Sequence, residues 1–391
     1  MILRSLLDTD LYKLTMQQAV LEQYPSIDGQ YVFINRNQKM KFNPNFMDEL
    51  LTEIEQMQDL RLTEDEYTWL QISGHTNFLK KEYLDYLKNY RYNPNEIMAS
   101  LDYEENLQLC ITGDWKSTIM WEVPLMALIS ELYFKHCDTN WTPVGQRERI
   151  QNKAKNASFN FADFGTRRRR NFETQELVVG ECIRNSEGNF LGTSNVYLAY
   201  LNDIAPIGTT AHEWTMGNSA IHGIKNANHF ALKAWAEVYR GKLGIALTDT
   251  FTTDIFLKDF DSYYARLYDG VRQDSGNPCQ WLVKMVNHYK SLGINPKHKK
   301  YVFSDGLTMK TAKDILDFAN DFFKLDNQNI IFGIGTSLTN DFDNSSPLNM
   351  VIKLYMANGL NVVKLSDVIS KASGDPKIIE SVKQTLGLNN D

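Results

Sequence analysis

The spacing of apolar residues changes character along the chain. Thr9 to Glu22 repeats apolar side chains at helical spacing, which predicts an amphipathic helix. GQYVFINR (29–36) and LQLCITG (107–113) are short runs rich in apolar residues and predict strands, with polar helices in the stretch up to about residue 89. The apolar run from Trp121 to Cys137 predicts another helix, with Pro124 in its first turn, where a missing N–H costs little. Few strands and long helices predict an N-terminal α/β sandwich domain over 1–150, a sheet covered by helices and open to completion by C-terminal residues.

From Phe159 onward the pattern becomes regular. The predicted strands are FNFADF (159–164), IAPIG (204–208), GIALTD (244–249), GVRQDS (270–275), YVFSD (301–305) and IIFGIG (330–335), with VIKL (351–354) and NVVKLS (361–366) closing the set. Helical segments such as TQELVVGECIRN, NANHFALKAWAEVYR, QWLVKMVNHYKSL and TMKTAKDILDFANDFF separate them, which argues for βα units and a parallel sheet. Nearly every strand ends in a polar or glycine cluster, and barrels of this kind collect their chemistry on that rim. The expectation is an irregular α/β barrel over 151–367, irregular because intervals reach the 45 residues between Asp163 and Gly208. Residues 368–391 form a C-terminal helical extension.

Composition narrows the classes of function. The 391 residues carry 48 acids and 41 bases, a net charge of -7, so nothing pulls the whole chain toward nucleic acid or anionic lipid. Four cysteines without a CxxC pair give neither a disulfide framework nor a zinc spacing, and a reducing cytoplasm is the expected compartment. The opening MILRSLLDTD is too short an apolar run for a signal peptide. The longest apolar stretch is broken by Glu131 and falls short of the ~20 residues a bilayer span needs, so no membrane segment is expected.

Candidate chemistry sits at the strand ends. FADFGTRRRR (161–170) places four arginines after an apolar strand, where guanidinium forks suit a phosphate or carboxylate; the bland alternative is a solvated charged face. GTSN, with Ser194 and Asn195, and GTTAHEW, with Thr209 and His212, combine glycine and hydroxyls that can hold phosphate oxygens. Glu213 or another acid is expected to orient the imidazole. A lone histidine is more often structural, but His212 alone among seven histidines lies among Gly and Thr at a strand end. TDTFTTD, GVRQDSGNP and SDG bring Asp249, Asp274 and Asp305 to one rim, where clustered acids call for Mg²⁺ or a ribose hydroxyl; helix capping and a turn at Gly276 to Pro278 are the ordinary explanation. FGIGTSLTND adds a glycine-rich turn that matches neither familiar nucleotide fingerprint.

Taken in order, LLDTDLYKLTM (6–16), FADFGTRRRR, GTSN, GTTAHEW, LTDTFTTD, GVRQDSGNP, FSDGL and FGIGTSL resemble nicotinate phosphoribosyltransferases, over about residues 6–367. The resemblance implies a type II phosphoribosyltransferase fold and a homodimer with shared active sites. The implied reaction joins nicotinate to phosphoribosyl pyrophosphate, with release of pyrophosphate, for NAD synthesis. It implies ATP as co-substrate through a phosphohistidine at His212, and Mg²⁺ without naming its ligands. By motif, Tyr12 of a neighbouring subunit stacks on the pyridine ring, and Thr209 and Arg272 hold nicotinate. Gly306, Gly335, Thr336 and Ser337 cradle the ribose 5-phosphate, and Asp274 and Asp305 face the ribose or base. Arg167 and Arg168 match the family's arginine pair, while Arg170 leaves open which of the run reach the ligand. Nicotinamide- and quinolinate-specific relatives, and a non-catalytic phosphometabolite-binding barrel, are the alternatives.

Overall fold

A computed structural model, describing residues 1–37 and 39–388, arranges the chain as two sheets with their covering helices. The strands are β1 (Asp28–Asn35), β2 (Ile97–Leu101), β3 (Leu107–Asp114), β4 (Phe161–Asp163), β5 (Phe190–Thr193) and β6 (Ile245–Leu247). They continue with β7 (Gly270–Gln273), β8 (Lys300–Phe303), β9 (Ile330–Ile334), β10 (Met350–Ala357) and β11 (Leu360–Asn361). The first sheet runs β11-β10-β1-β3-β2 and is antiparallel throughout. The second runs β5-β4-β9-β8-β7-β6 and is parallel throughout.

Closure of the second sheet into a barrel is irregular. Between its outer strands β5 and β6 stands the segment 206–209: Ile207 N donates to Thr193 O at 2.8 Å, and Thr209 Oγ1 donates to Ile245 O at 3.2 Å. The expected strand IAPIG is this segment, reduced to a single parallel bridge at Pro206. The sequence pattern does not mark β5, FLGT, because four half-apolar residues with glycine in third place carry no periodicity.

Three expectations change. VIKL does not close the barrel; it lies in β10, which pairs antiparallel with β1 from Gly29↔Ala357 to Asn35↔Met350 and so completes the first sheet. A buried strand of either sheet reads as the same apolar run, which is why the pattern did not separate them. NVVKLS contributes only Asn361 to a strand, and beyond it Leu365 N donates to Thr250 O at 2.8 Å, drawing the segment onto the barrel rim. The helix Leu11–Gln23 is not amphipathic but enclosed. Lys13, Gln17 and Gln18 are all buried, with Gln17 Nε2 donating to Lys116 O at 2.8 Å and Gln18 Nε2 to Phe78 O at 3.1 Å. The C-terminal helix Pro376–Leu386 starts at Asp375, whose carboxylate accepts from Lys377 N and Ile378 N, and its Val382 packs with Val363, Leu365 and Phe251. Positions 389–391 of the expected extension lie outside the described residues. Among the described residues no helix is long and apolar enough to cross a membrane.

The barrel strands pack so closely that glycine is required at one position. A Cβ on Gly270 would collide with the backbone carbonyl of Lys300 on the adjacent strand, which cannot rotate away. Gly270→Ala is expected to cost about 1–3 kcal/mol in urea unfolding through forced separation of β7 and β8. Wild-type stability would contradict the packing described.

Candidate active site

The C-terminal ends of the barrel strands face the first sheet across a cavity of about 820 Å³. The barrel rim supplies Phe164, Arg167, Arg168, Ser194, His212, Arg272, Asp274, Asp305, Gly306, Gly335 and Thr336. The first sheet supplies Asn35, Arg36 and Lys353, and the N-terminal segment supplies Asp10 and Tyr12. This is the site expected of an α/β barrel, with a second wall that the barrel alone does not provide.

The four arginines divide by direction. Arg167 lines the cavity with its guanidinium 3.6 Å from Glu122. Arg168 also lines it, anchored to Met350 O by Nε at 3.0 Å and Nη2 at 2.7 Å, and burial pushes its pKa down to about 10. Arg169 turns inward with no exposure, forking onto Asp8 at 2.7 and 2.9 Å and reaching Glu131 at 2.8 Å. Arg170 lies buried over the ring of Phe134, 3.5 Å from its centroid, and donates to Ser345 Oγ at 2.8 Å. Two arginines of the run therefore face the cavity and two hold the fold.

His212 opens the helix His212–His222 and is buried at the cavity wall. Its Nε2 lies 2.9 Å from Asp249 Oδ1 and 3.7 Å from Asp274 Oδ2. Burial, with Lys364 beside it, outweighs the two carboxylates and pushes the imidazole pKa down to about 4. Asp249 is held well below the usual carboxylate range: burial opposes its charge, but His212, Lys364 at 3.1 Å and the Ser275 hydroxyl at 2.5 Å prevail. An ionised carboxylate only accepts, so Nε2 carries the proton and Nδ1 keeps its lone pair. The orienting acid is Asp249 and not Glu213, whose carboxylate binds the buried Lys13 at 2.5 Å instead.

Among the other expected residues, Arg272 lines the cavity, and its Nε is buried without a hydrogen-bond partner among the described residues. Asp274 Oδ1 accepts from Ser304 Oγ at 3.0 Å, and Asp305 pairs with Lys371. Ser194 Oγ donates to Asp10 at 2.7 Å. Three residues are not on the cavity wall. Asn195 is fully buried, donating to Asp8 at 2.7 Å and accepting from Leu198 N at 3.0 Å, so it caps the helix Val196–Asn202. Thr209 donates to Ile245 O, and Ser337 Oγ donates to Leu307 O at 2.6 Å. Tyr12 lines the cavity of its own chain, where a neighbouring subunit was expected to supply the ring.

Reading the residues in sequence missed Lys364, hidden inside an expected strand, and Lys353, hidden in β10. Phe164 was missed as well, although an aromatic at the end of β4 was a usable signal; its ring occupies the space that a side chain at Gly333 would need. Asp249 was read as a strand-end acid without its imidazole partner.

For the divided arginines, removing the Arg169 side chain leaves Asp8 and Glu131 buried and unpaired. Arg169→Ala is expected to lose about 3–5 kcal/mol in urea unfolding, whereas Arg168→Ala, at a partly open wall, loses about 1 kcal/mol. Equal losses would contradict the division.

Residues 7–130 match the N-terminal domain of the nicotinate phosphoribosyltransferase (NAPRTase) family, and residues 159–390 match the nicotinate phosphoribosyltransferase (NAPRTase) family itself. A nicotinate phosphoribosyltransferase of Methanosarcina acetivorans is 42% identical over 407 aligned positions, covering 98% of each chain. That of Desulforapulum autotrophicum is 45% identical over 383 positions, covering 95% of this chain and 96% of its own. The crystal structure of the Porphyromonas gingivalis nicotinate phosphoribosyltransferase matches with a TM-score of 0.94 at 36% identity, covering 99% of this chain and 100% of the other. The irregular α/β barrel with an N-terminal α/β sandwich domain is thus a fold shared with a solved relative. With both halves matched and near-complete coverage at these identities, the chain belongs to the nicotinate phosphoribosyltransferase family.

Proposed function

We propose that this chain joins nicotinate to 5-phosphoribosyl 1-pyrophosphate, giving nicotinate mononucleotide and pyrophosphate for NAD synthesis, and that ATP hydrolysis is coupled to the transfer through phosphorylation of His212. Family membership supports the substrates. The observation that carries the coupling is a neutral, wall-lining imidazole whose Nε2 is bound to Asp249, leaving Nδ1 free beside a cavity rich in cations.

Each part of the site has work suited to its chemistry. Loss of pyrophosphate from ribose C1 leaves an electron-poor carbon and concentrates negative charge on the departing group, which a wall cation such as Arg168 would stabilise. Gly306, Gly335 and Thr336 offer backbone and hydroxyl donors at the barrel rim for the 5-phosphate. Nicotinate's ring nitrogen is already a lone-pair nucleophile and needs only positioning, with Tyr12 as an aromatic wall. In the ATP step, Nδ1 of His212 would attack the γ-phosphorus as its bond to the ADP oxygen breaks, while Asp249 holds the Nε2 proton. The phosphoryl group then adds negative charge and acceptor oxygens beside the cations, which would change affinity for substrate and product.

Mg²⁺ fits this donor set in part. Asp249 is already paired with Lys364 and hydrogen-bonded to His212, so Asp274, whose Oδ2 stays clear of the Ser304 hydrogen bond, is the carboxylate that would hold the ion. When bound, the ion would offset charge on the leaving pyrophosphate. A homodimer with shared sites and a cytoplasmic setting belong to the same proposal.

Two measurements test it. Offered nicotinate, nicotinamide and quinolinate with phosphoribosyl pyrophosphate, the enzyme is expected to turn over nicotinate at least about a hundredfold faster in kcat/KM, as a site built for one charged group permits; no turnover of nicotinate would refute the reading. Incubation with γ-labelled ATP is expected to leave an acid-labile label that disappears in His212→Ala. Label surviving in that variant would remove His212 from the role.

A further inference from the structure

Beneath the cavity wall lies a cluster of charge that the proposed chemistry leaves without a role. Lys13 has no exposure and lies 2.5 Å from both Glu122 and Glu213. Both acids line the cavity, but their surroundings differ. Glu213 is tied back toward the interior by Lys13. Glu122 has a second set of contacts on the cavity side: its Oε1 lies 3.6 Å from Arg167 Nη1, and its Oε2 accepts from the Tyr12 hydroxyl at 3.4 Å. One carboxylate thus meets the cation and the aromatic ring that line the same wall.

Resting on the functional reading above, we propose that Glu122 is a positioning residue for nicotinate, holding Arg167 and Tyr12 together so that they receive the carboxylate and the ring of the substrate.

The charges around Glu122 suit that task. Burial opposes its ionisation, but Lys13, Arg167 and Lys353 outweigh burial and hold its carboxyl below the usual range. Glu213 is shifted the other way, by burial and by the neighbouring charge of Glu122. Of the two acids, Glu122 is the one that faces Arg167. Lys13 fixes that acid from behind, and because Lys13 follows Tyr12 in the helix Leu11–Gln23, the same backbone carries the anchor and the ring. An arginine held by one long contact at 3.6 Å can turn toward an incoming carboxylate without leaving its place, which a fully engaged fork such as Arg169 cannot do.

The test is steady-state kinetics of Glu122→Gln, which keeps the shape of the side chain and leaves Lys13 paired with Glu213. The KM for nicotinate is expected to rise about tenfold, the scale of one lost charge-assisted contact, with the KM for phosphoribosyl pyrophosphate within about twofold and kcat recovered at saturating nicotinate. In a double-mutant cycle, Arg167→Ala is expected to cost less nicotinate affinity in the Glu122→Gln background than in wild type. If Glu122→Gln does not fold, Glu122→Asp keeps the charge while withdrawing it from Arg167 and Tyr12, and the same split is expected on a smaller scale. Parallel rises in both KM values, unchanged KM values, or additive effects in the cycle would overturn the proposal while wild-type turnover of nicotinate upholds the functional reading. A wild type that ignores nicotinate would overturn both.

Discussion

A buried guanidinium is costly to leave unpaired, and Arg169 meets that constraint with two carboxylates. Its fork on Asp8 and its contact with Glu131 join three separate parts of the chain: the N-terminal segment, the long apolar helix and the turn after β4. Asp8 in turn accepts from Asn195, so the start of the helix Val196–Asn202 is fixed by the same group. With Arg169 committed to the interior, Arg167 and Arg168 in the short turn before it are presented to the cavity. The same anchor fixes the start of the helix that carries Tyr12 and Lys13, and Glu131 shares its helix with Glu122. The site is held by what lies beneath it.

The cavity is assembled from opposite charges rather than from cations alone. Arg167 faces Glu122, Lys364 faces Asp249, Lys371 faces Asp305 and the buried Lys13 faces two acids. Such pairing keeps a concentration of arginine and lysine compatible with burial in a protein of net charge -7. It also leaves cations that a polyanionic substrate can draw from their partners. Lys353 stands apart: burial pushes it down to about 8, with Glu122 favouring its charge and Lys364 opposing it. Two lysines from the C-terminal part of the chain thus set the electrostatics of residues read as barrel chemistry.

Much of this was legible in the sequence, for physical reasons that differ by element. The barrel strands β6 to β9 announce themselves as short apolar runs ending in polar residues, because a strand buried on both faces has no polar position until it reaches the rim. β10 reads identically and belongs to the other sheet; nothing in VIKL specifies its neighbour, which is chosen by register with β1. The arginine run was visible as an anion site, but its division into outward and inward pairs depends on Asp8 and Glu131, residues remote in sequence. His212 was singled out from its glycine and threonine setting, while its partner Asp249 lies 37 residues away across the barrel. Asn195 looked like a ligand-binding amide because caps and binding loops use the same residue type.

The most direct test of the account is a crystal structure with nicotinate and a non-reactive analogue of phosphoribosyl pyrophosphate. The account expects both ligands in the cavity between the barrel rim and the first sheet, with Arg167 and Arg168 on the ligands, Arg169 still on Asp8, and Nδ1 of His212 open to the phosphate site. Ligands bound outside that cavity, or Arg169 drawn from Asp8 to meet them, would contradict it.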